Sequence, residues 1–177
     1  MACLQTLGGL GRTCDTSMGG IKEVYIANYE DVDFNSISYA SGNTEITGIT
    51  MNGNAKFQKY WFRKGTGSLT KTLNVSDSGS NFVQSDLVLQ FDRMETKKRI
   101  EMAALSVGDL VVLVKDANNK VWFLGEESPV RASAGDGQTG TARSDGNRYT
   151  ITLQDENSSF PKEVTADLST IIKEVVD

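Results

Sequence analysis

The chain has 177 residues, with 18 Lys and Arg, 23 Asp and Glu, and no histidine. This length fits one domain, and 38% hydrophobic residues are typical of a folded protein. The absence of histidine excludes histidine bases, histidine-activated nucleophiles and histidine-ligated zinc. A net charge of −5 argues against electrostatic binding of nucleic acid or an anionic membrane. The composition therefore does not favour an enzyme.

Residues 1–20 form a glycine-rich leader with scattered apolar residues. Glycine raises the entropic cost of ordering a segment, so we predict a flexible N-terminal arm over 1–20 that orders only against a partner. The spacing of Cys3 and Cys14 indicates neither a disulfide nor a metal site. We expect two free thiols in a reducing compartment, with one disulfide as the alternative. We expect no secretory signal and no membrane-spanning segment.

From Ile21 onward, segments rich in β-branched and aromatic residues alternate with turn signals, which predicts a single β domain over 21–177. The first strands are predicted, in chain order, at 22–27, 45–51, 55–63, 68–75 and 82–91. Asn52-Gly53 is a strong signal for a type I′ turn. It predicts a hairpin that joins the second strand of this series to the third.

One amphipathic helix interrupts the β pattern at about 93–106. Asp92 and Glu95 have the spacing of a capping pair, and Gly108 is a stop signal. A set of apolar residues at helical spacing, here named the helix stripe, is predicted to face the core: Ile100, Ala103, Ala104 and Val107. The basic residues between 93 and 99 are interpreted as a solvated face.

After the helix, Leu110–Val114 and Val121–Leu124 predict a second hairpin across an Asp/Asn-rich turn. Residues 126–148 are rich in glycine and have almost no apolar content, which predicts a long loop; loops of this length are usually functional. We interpret it as an assembly loop. Residues 149–153 then predict a strand. Apolar residues at helical spacing after Pro161 predict a short C-terminal helix, although their β-branching also suits a strand.

These elements predict a mainly β fold: an antiparallel β-sandwich or barrel with one flanking α-helix at about 93–106 and the short C-terminal helix. The acidic stretches at 30–33 and 155–156 are interpreted as surface turns rather than calcium loops. Neither the glycines at 8–11 nor those at 135–140 have the context of a phosphate-binding motif. We therefore predict no catalytic residue, no cofactor and no metal site.

The order of elements is similar to that of a known family. The opening strand at 20–27, the hairpin that ends in Val121–Gly125, the small residues 137–140, the strand region 145–153 and Phe160-Pro161 carry the resemblance. In this order they resemble structural proteins of tailed-phage virions, notably the major tail tube protein and its relatives in bacterial injection machines. The resemblance covers most of residues 20–165.

This resemblance implies a flattened β-sandwich whose subunits form hexameric rings that stack into a tail tube, with no catalytic residues. The implied partners are copies of the chain itself and other virion proteins, while DNA passes through the lumen without specific binding and no membrane takes part. The implied location is the virion, after assembly in the host cytoplasm. Subunit contacts are hypothesised at Leu4, Leu7, Leu10, Arg131, Arg143 and Arg148.

Two alternatives remain open at this point. A head–tail connector, tail terminator or capsid decoration protein would form closed rings or trimers that do not stack. A secreted carbohydrate-binding β-sandwich is the alternative from another class, and the lack of a predicted signal peptide argues against it. Of Trp61 and Trp122, we expect one in the core and one at an interface, and the sequence does not say which.

Overall fold

The structure is a computed structural model that describes residues 8–11, 16–77 and 79–173. Within these ranges the chain forms two β-sheets, one α-helix and two short 3₁₀ turns at Tyr29–Asp31 and Phe34–Ser36. The elements in chain order are β1 Ile21–Asn28, β2 Ser38–Tyr39, β3 Glu45–Gly48, β4 Phe57–Tyr60, β5 Ser68–Val75, β6 Asn81–Asp92, α1 Thr96–Val107, β7 Leu110–Asp116, β8 Val121–Leu124, β9 Arg131–Gln138, β10 Arg148–Asn157, β11 Glu163–Val164 and β12 Ile172–Lys173. The predicted fold class, mainly β with one flanking helix, is confirmed.

The larger sheet has eight strands in the order β12-β4-β1-β7-β8-β11-β3-β2, and it is buried on both faces at its centre. Val112 and Val114 of β7 face the core between the two sheets. Val111 and Leu113 face a second core on the opposite side, which the segments around 29–57 and 164–172 cover. A strand buried on both faces has no need of polar residues, so β7 reads as a continuous apolar run.

The smaller sheet has four strands in the order β5-β6-β10-β9, with only one face in the core. Leu87 and Leu89 of β6, and Ile151 and Leu153 of β10, point inward and are buried. The alternate residues point outward and are mostly polar and partly exposed: Gln84, Asp86, Val88 and Gln90 on β6, and Thr150, Thr152, Gln154 and Glu156 on β10. This alternation is that of an antiparallel sheet with one solvated face.

Of the two predicted hairpins, the second is confirmed, because β7 and β8 pair antiparallel with Val114 opposite Trp122. The first is wrong. Gly53 does adopt the left-handed conformation of a turn, with φ +60°. However, β3 pairs with β2 and β11, whereas β4 pairs with β1 and β12. The turn dipeptide reverses the chain, but burial of Phe57 in the second core decides which neighbour β4 takes.

The predicted loop at 126–148 is wrong in its central part, where β9 pairs along β10. The glycines of β9 leave space for neighbouring side chains and do not form a flexible loop. A Cβ at Gly137 would lie 2.8 Å from the Tyr149 ring and 3.2 Å from Met94, and a Cβ at Gly135 would meet Met102. Small residues let α1 and an aromatic ring approach this strand, so the glycine content that indicated a loop belongs to a paired strand whose residues are mostly exposed.

Helix α1 is confirmed, and Gly108 ends it. Its orientation is opposite to the prediction. Leu105 is buried and Met102 packs beside it, whereas the helix stripe faces outward, with Ile100 57% and Val107 86% exposed. The longer side chains on the other face reach the sheets, and they decide the orientation. The predicted capping pair is also wrong, because Glu95 precedes the first turn and no side chain caps it.

The predicted C-terminal helix is wrong over the described residues. The chain turns at 168–171, and β12 then pairs parallel with β4, with Ile172 opposite Phe57. Ile171 and Ile172 pack on the second core, and their β-branched side chains favour the extended form. Residues 174–177 lie outside the described part of the chain.

Candidate subunit-interface surfaces

The four-stranded sheet ends in two long strands, β5 and β9, that each pair on one side only within the described residues. Each strand has eight residues and contains no proline. An unpaired edge presents free main-chain N–H and C=O groups that can pair with another chain. All neighbours in this sheet are antiparallel, so β5 and β9 run in opposite directions. A β9 edge can therefore pair antiparallel with the β5 edge of another molecule.

Exposed apolar residues lie close to both edges. Beside β9, the helix stripe is open to solvent over Ile100 and Val107. On β5, Leu73 is 50% and Val75 72% exposed, and we name these two residues the β5 patch. Contiguous apolar surface of this kind marks interaction sites more often than isolated residues do.

The three predicted interface arginines are not brought together. Arg131 and Arg148 stand at opposite ends of the β9–β10 ladder, where they pair with Gln154 and Gln138. The ladder spans eight residues of β9, which is about 23 Å. Arg143 is exposed in the turn between these strands. The structure therefore offers no single arginine cluster along this edge.

Arg131 already has an ion-pair partner within its own chain. Its Nε donates to Asp109 Oδ1 at 2.5 Å and its Nη2 to Oδ2 at 3.2 Å. The guanidinium holds the pKa of the Asp109 carboxyl below its usual range. Because both side chains are exposed, the pair contributes little to stability.

Of the predicted leucine contacts, Leu10 is fully exposed, and Leu4 and Leu7 lie outside the described residues, as do Cys3 and Cys14. The end of the predicted arm is bound to the body. Met18 N donates to Asn118 Oδ1 at 2.9 Å, Asn118 Nδ2 donates back to Met18 O at 3.1 Å, and Ala117 N donates to Gly20 O at 3.0 Å. Met18 and Gly20, at the end of the predicted arm, are therefore hydrogen-bonded to the turn between β7 and β8.

The two tryptophans have different environments. Trp122 is half-buried, its Nε1 donates to Asp116 Oδ2 at 3.1 Å, and Lys71 Nζ lies 3.4 Å from its ring centroid. This contact joins β8 of one sheet to β5 of the other, and burial lowers the pKa of Lys71 to about 8. Trp61 is 66% exposed, with Lys59 Nζ 4.7 Å from its ring centroid.

A buried polar cluster lies where the chain crosses between the sheets, and the sequence reading missed it. Asp155 is 1% exposed rather than part of a surface turn. Asn157 Nδ2 donates to Asp155 Oδ2 at 2.5 Å, and Asn157 Oδ1 accepts from Glu127 N at 3.2 Å. Burial raises the pKa of Asp155 to about 6. The alternation of β10, which places Asp155 on the face of Leu153, was the available signal.

The described residues form no group of three Cys, Asp or Glu side chains that could hold a metal ion. Two cavities, of about 330 and 290 Å³, lie next to the strands already described. Ser128 in the first donates its hydroxyl to the main-chain oxygen of Glu156, and the second contains Lys71 against Trp122. Across the described ranges, no helix combines the length and the apolar character that crossing a bilayer requires.

Comparisons with known proteins give no relative from which a site could be transferred. No family model matches the sequence, and no curated protein matches it. A functional assignment therefore depends on the surfaces of the described residues themselves: the long edges β5 and β9, the helix stripe and the β5 patch.

Proposed function

We propose that this protein is a non-enzymatic structural subunit of a phage or prophage virion, which assembles with copies of itself into hexameric rings that stack as a tail tube. The observation that supports the proposal is a pair of long and oppositely directed edges on one sheet, β5 and β9, whose outer sides no described residue pairs with. Other virion proteins are the further partners in this proposal.

The strand order explains how such edges allow a repeated contact between copies. A contact between β9 of one copy and β5 of the next leaves a free β5 and a free β9 at the two ends, so each addition can be repeated. A head-to-tail contact of this kind generates a closed ring or an open filament. Antiparallel pairing would continue across every boundary, since the strand directions already alternate within each copy.

The outward face of this sheet supports the tube. Its outward side chains on β6 and β10 are mostly neutral and polar. Asp86, Asp92 and Glu156 add negative charge, and Arg148 adds one positive charge. The chain has a net charge of −5. A continuous sheet of these faces would give a wall that repels DNA and lets it pass without specific binding.

The test is assembly of the purified protein, followed by sedimentation velocity and negative-stain microscopy as concentration rises. We expect rings and stacked tubes. A peptide with the β5 sequence, residues 68–75, should compete for the β9 edge and reduce assembly, whereas a scrambled peptide of the same composition should not. A protein that stays monomeric at every concentration contradicts the proposal.

The same images separate the alternatives. Closed rings or trimers that never stack would favour a connector, terminator or decoration protein. The largely exposed indole of Trp61 is the observation that favours the carbohydrate-binding alternative, because an exposed aromatic ring can stack on a sugar. Saturable quenching of tryptophan fluorescence by glycans, lost in Trp61→Ala, would support that reading.

A further inference from the structure

We propose that the helix stripe of one molecule is the docking surface for the β5 patch of a second copy of this chain. This inference rests on the proposed function, because it names the side chains that would accompany pairing of the β9 and β5 edges. The occupant is a second copy because both halves of the contact are exposed on the same chain, at opposite edges of one sheet.

Within the residues that the structure describes, the helix stripe has no partner in its own molecule. α1 packs on the sheets through Leu105 and Met102, which lie on the opposite side of the helix. Val107 is 86% and Ile100 57% exposed at the two ends of the stripe. The intervening Ala103 and Ala104 are also exposed, so the stripe is a shallow apolar surface with a larger side chain at each end.

The β5 patch lies on the core-facing side of the four-stranded sheet. Leu73 pairs with Val83, which is buried on the face that carries Leu87 and Leu89. Val75 is two residues further along and points to the same side. The end of β5 extends past the core. Leu73 and Val75 therefore point to the same side of the sheet as the core residues but stay exposed.

Helix α1 lies on that same side of the sheet, above the opposite edge. Gly135 pairs with the inward-facing Ile151, and a Cβ at Gly135 would meet the end of Met102. α1 therefore contacts β9 from this side, although most residues of the strand stay exposed. Within one molecule the β5 patch is separated from β9 by β6 and β10, which is about 14 Å at the usual strand spacing, so the two apolar surfaces cannot meet there.

Edge pairing between two copies removes this separation. When β5 of a second copy lies beside β9, its inward side chains project next to α1 of the first copy. Exposed Leu73 and Val75 then meet the helix stripe, and both lose contact with water.

The test is a charge exchange across the contact, followed by sedimentation velocity. Val107→Asp and Leu73→Lys each place an unpaired charge in the proposed interface, and each should weaken association about tenfold or more. The double variant should recover most of the lost association, because the two charges would then face each other. Phe160→Asp changes an apolar residue of similar exposure elsewhere, 52%, and should leave association unchanged.

The outcomes separate this inference from the proposed function. Thermal unfolding by circular dichroism should give similar midpoints for all variants, since the altered residues are largely exposed. If the wild type assembles but the single variants assemble equally well, or the double variant shows no recovery, the docking contact is overturned and the edge-paired assembly stands. If the wild type never associates, the proposed function and this inference are both overturned.

Discussion

The two sheets of this protein end differently. Over the described residues, the outermost strands of the eight-stranded sheet, β12 and β2, have two residues each, whereas those of the four-stranded sheet, β5 and β9, have eight. Very short edge strands are one way in which proteins avoid pairing with other chains. In the part of the chain that the structure describes, the larger sheet has such short edge strands and the smaller one does not. This difference indicates that the smaller sheet is the side on which another molecule can add.

The largest expected effect compares one leucine from each sheet. Leu113 of β7 is fully buried, so Leu113→Ala should lower the free energy of unfolding by about 3–5 kcal/mol. Leu73 of β5 is 50% exposed, and Leu73→Ala should lower it by less than about 1 kcal/mol. Urea denaturation of dilute protein measures both values. Equal losses of unfolding free energy would mean that Leu73 is packed as tightly as Leu113, and they would contradict the proposed difference between the two sheets.

The next effect concerns Asp155, at the crossover between the sheets. Its pKa is raised from 3.8 to about 6 by burial, so the folded protein holds a proton that the unfolded chain releases. The stability that this proton gives is fully present below about pH 4 and is lost as pH rises to about 6. A shift of this size corresponds to about 3 kcal/mol. Of the neighbouring side chains, Asn157 lowers the pKa of Asp155 through its hydrogen bond, and Glu127 raises it through its negative charge.

Asp155→Asn should remove this pH dependence, because the amide cannot ionise. Unfolding free energies measured from pH 4 to 7 should fall for the wild type and stay nearly level for the variant. Glu156→Gln, at the exposed neighbour, is the matched control and should keep the wild-type slope. A variant with the same slope as the wild type would show that another group titrates in this range.

The fold class was predictable because it depends on local patterns. The alternation in β6 and the turn between β7 and β8 indicate a β body without knowledge of the partners of each strand. Pairing is not local: Asn52-Gly53 gives a turn, but the buried Phe57 selects β1 and β12 as neighbours of β4. The glycines of β9 were ambiguous for the same reason, since only the folded chain places Met102 and Tyr149 over them.

The candidate interface was less predictable than the fold. A sequence shows which residues are apolar. Which side of α1 is exposed depends on the packing of Met102 and Leu105 against the sheets, and only the folded structure shows that packing. Likewise, nothing local marks β5 and β9 as edges, because that position follows from the order of four strands. Among the leucines predicted at subunit contacts, Leu10 is exposed, and its role in association stays a prediction.

The smallest effect compares the two tryptophans and tests whether the sheets depend on each other. Trp122 on β8 contacts Lys71 on β5 and donates a hydrogen bond to Asp116, so Trp122→Ala should lower stability by about 2 kcal/mol. Trp61→Ala should change it by less than about 0.5 kcal/mol, since its ring is mostly exposed. Circular dichroism is the suitable probe, because each variant loses a fluorophore. If Trp122→Ala also weakens association, the inter-sheet contact helps to hold β5 in the position from which it can meet a second copy; if stability alone changes, β5 keeps that position through its pairing with β6.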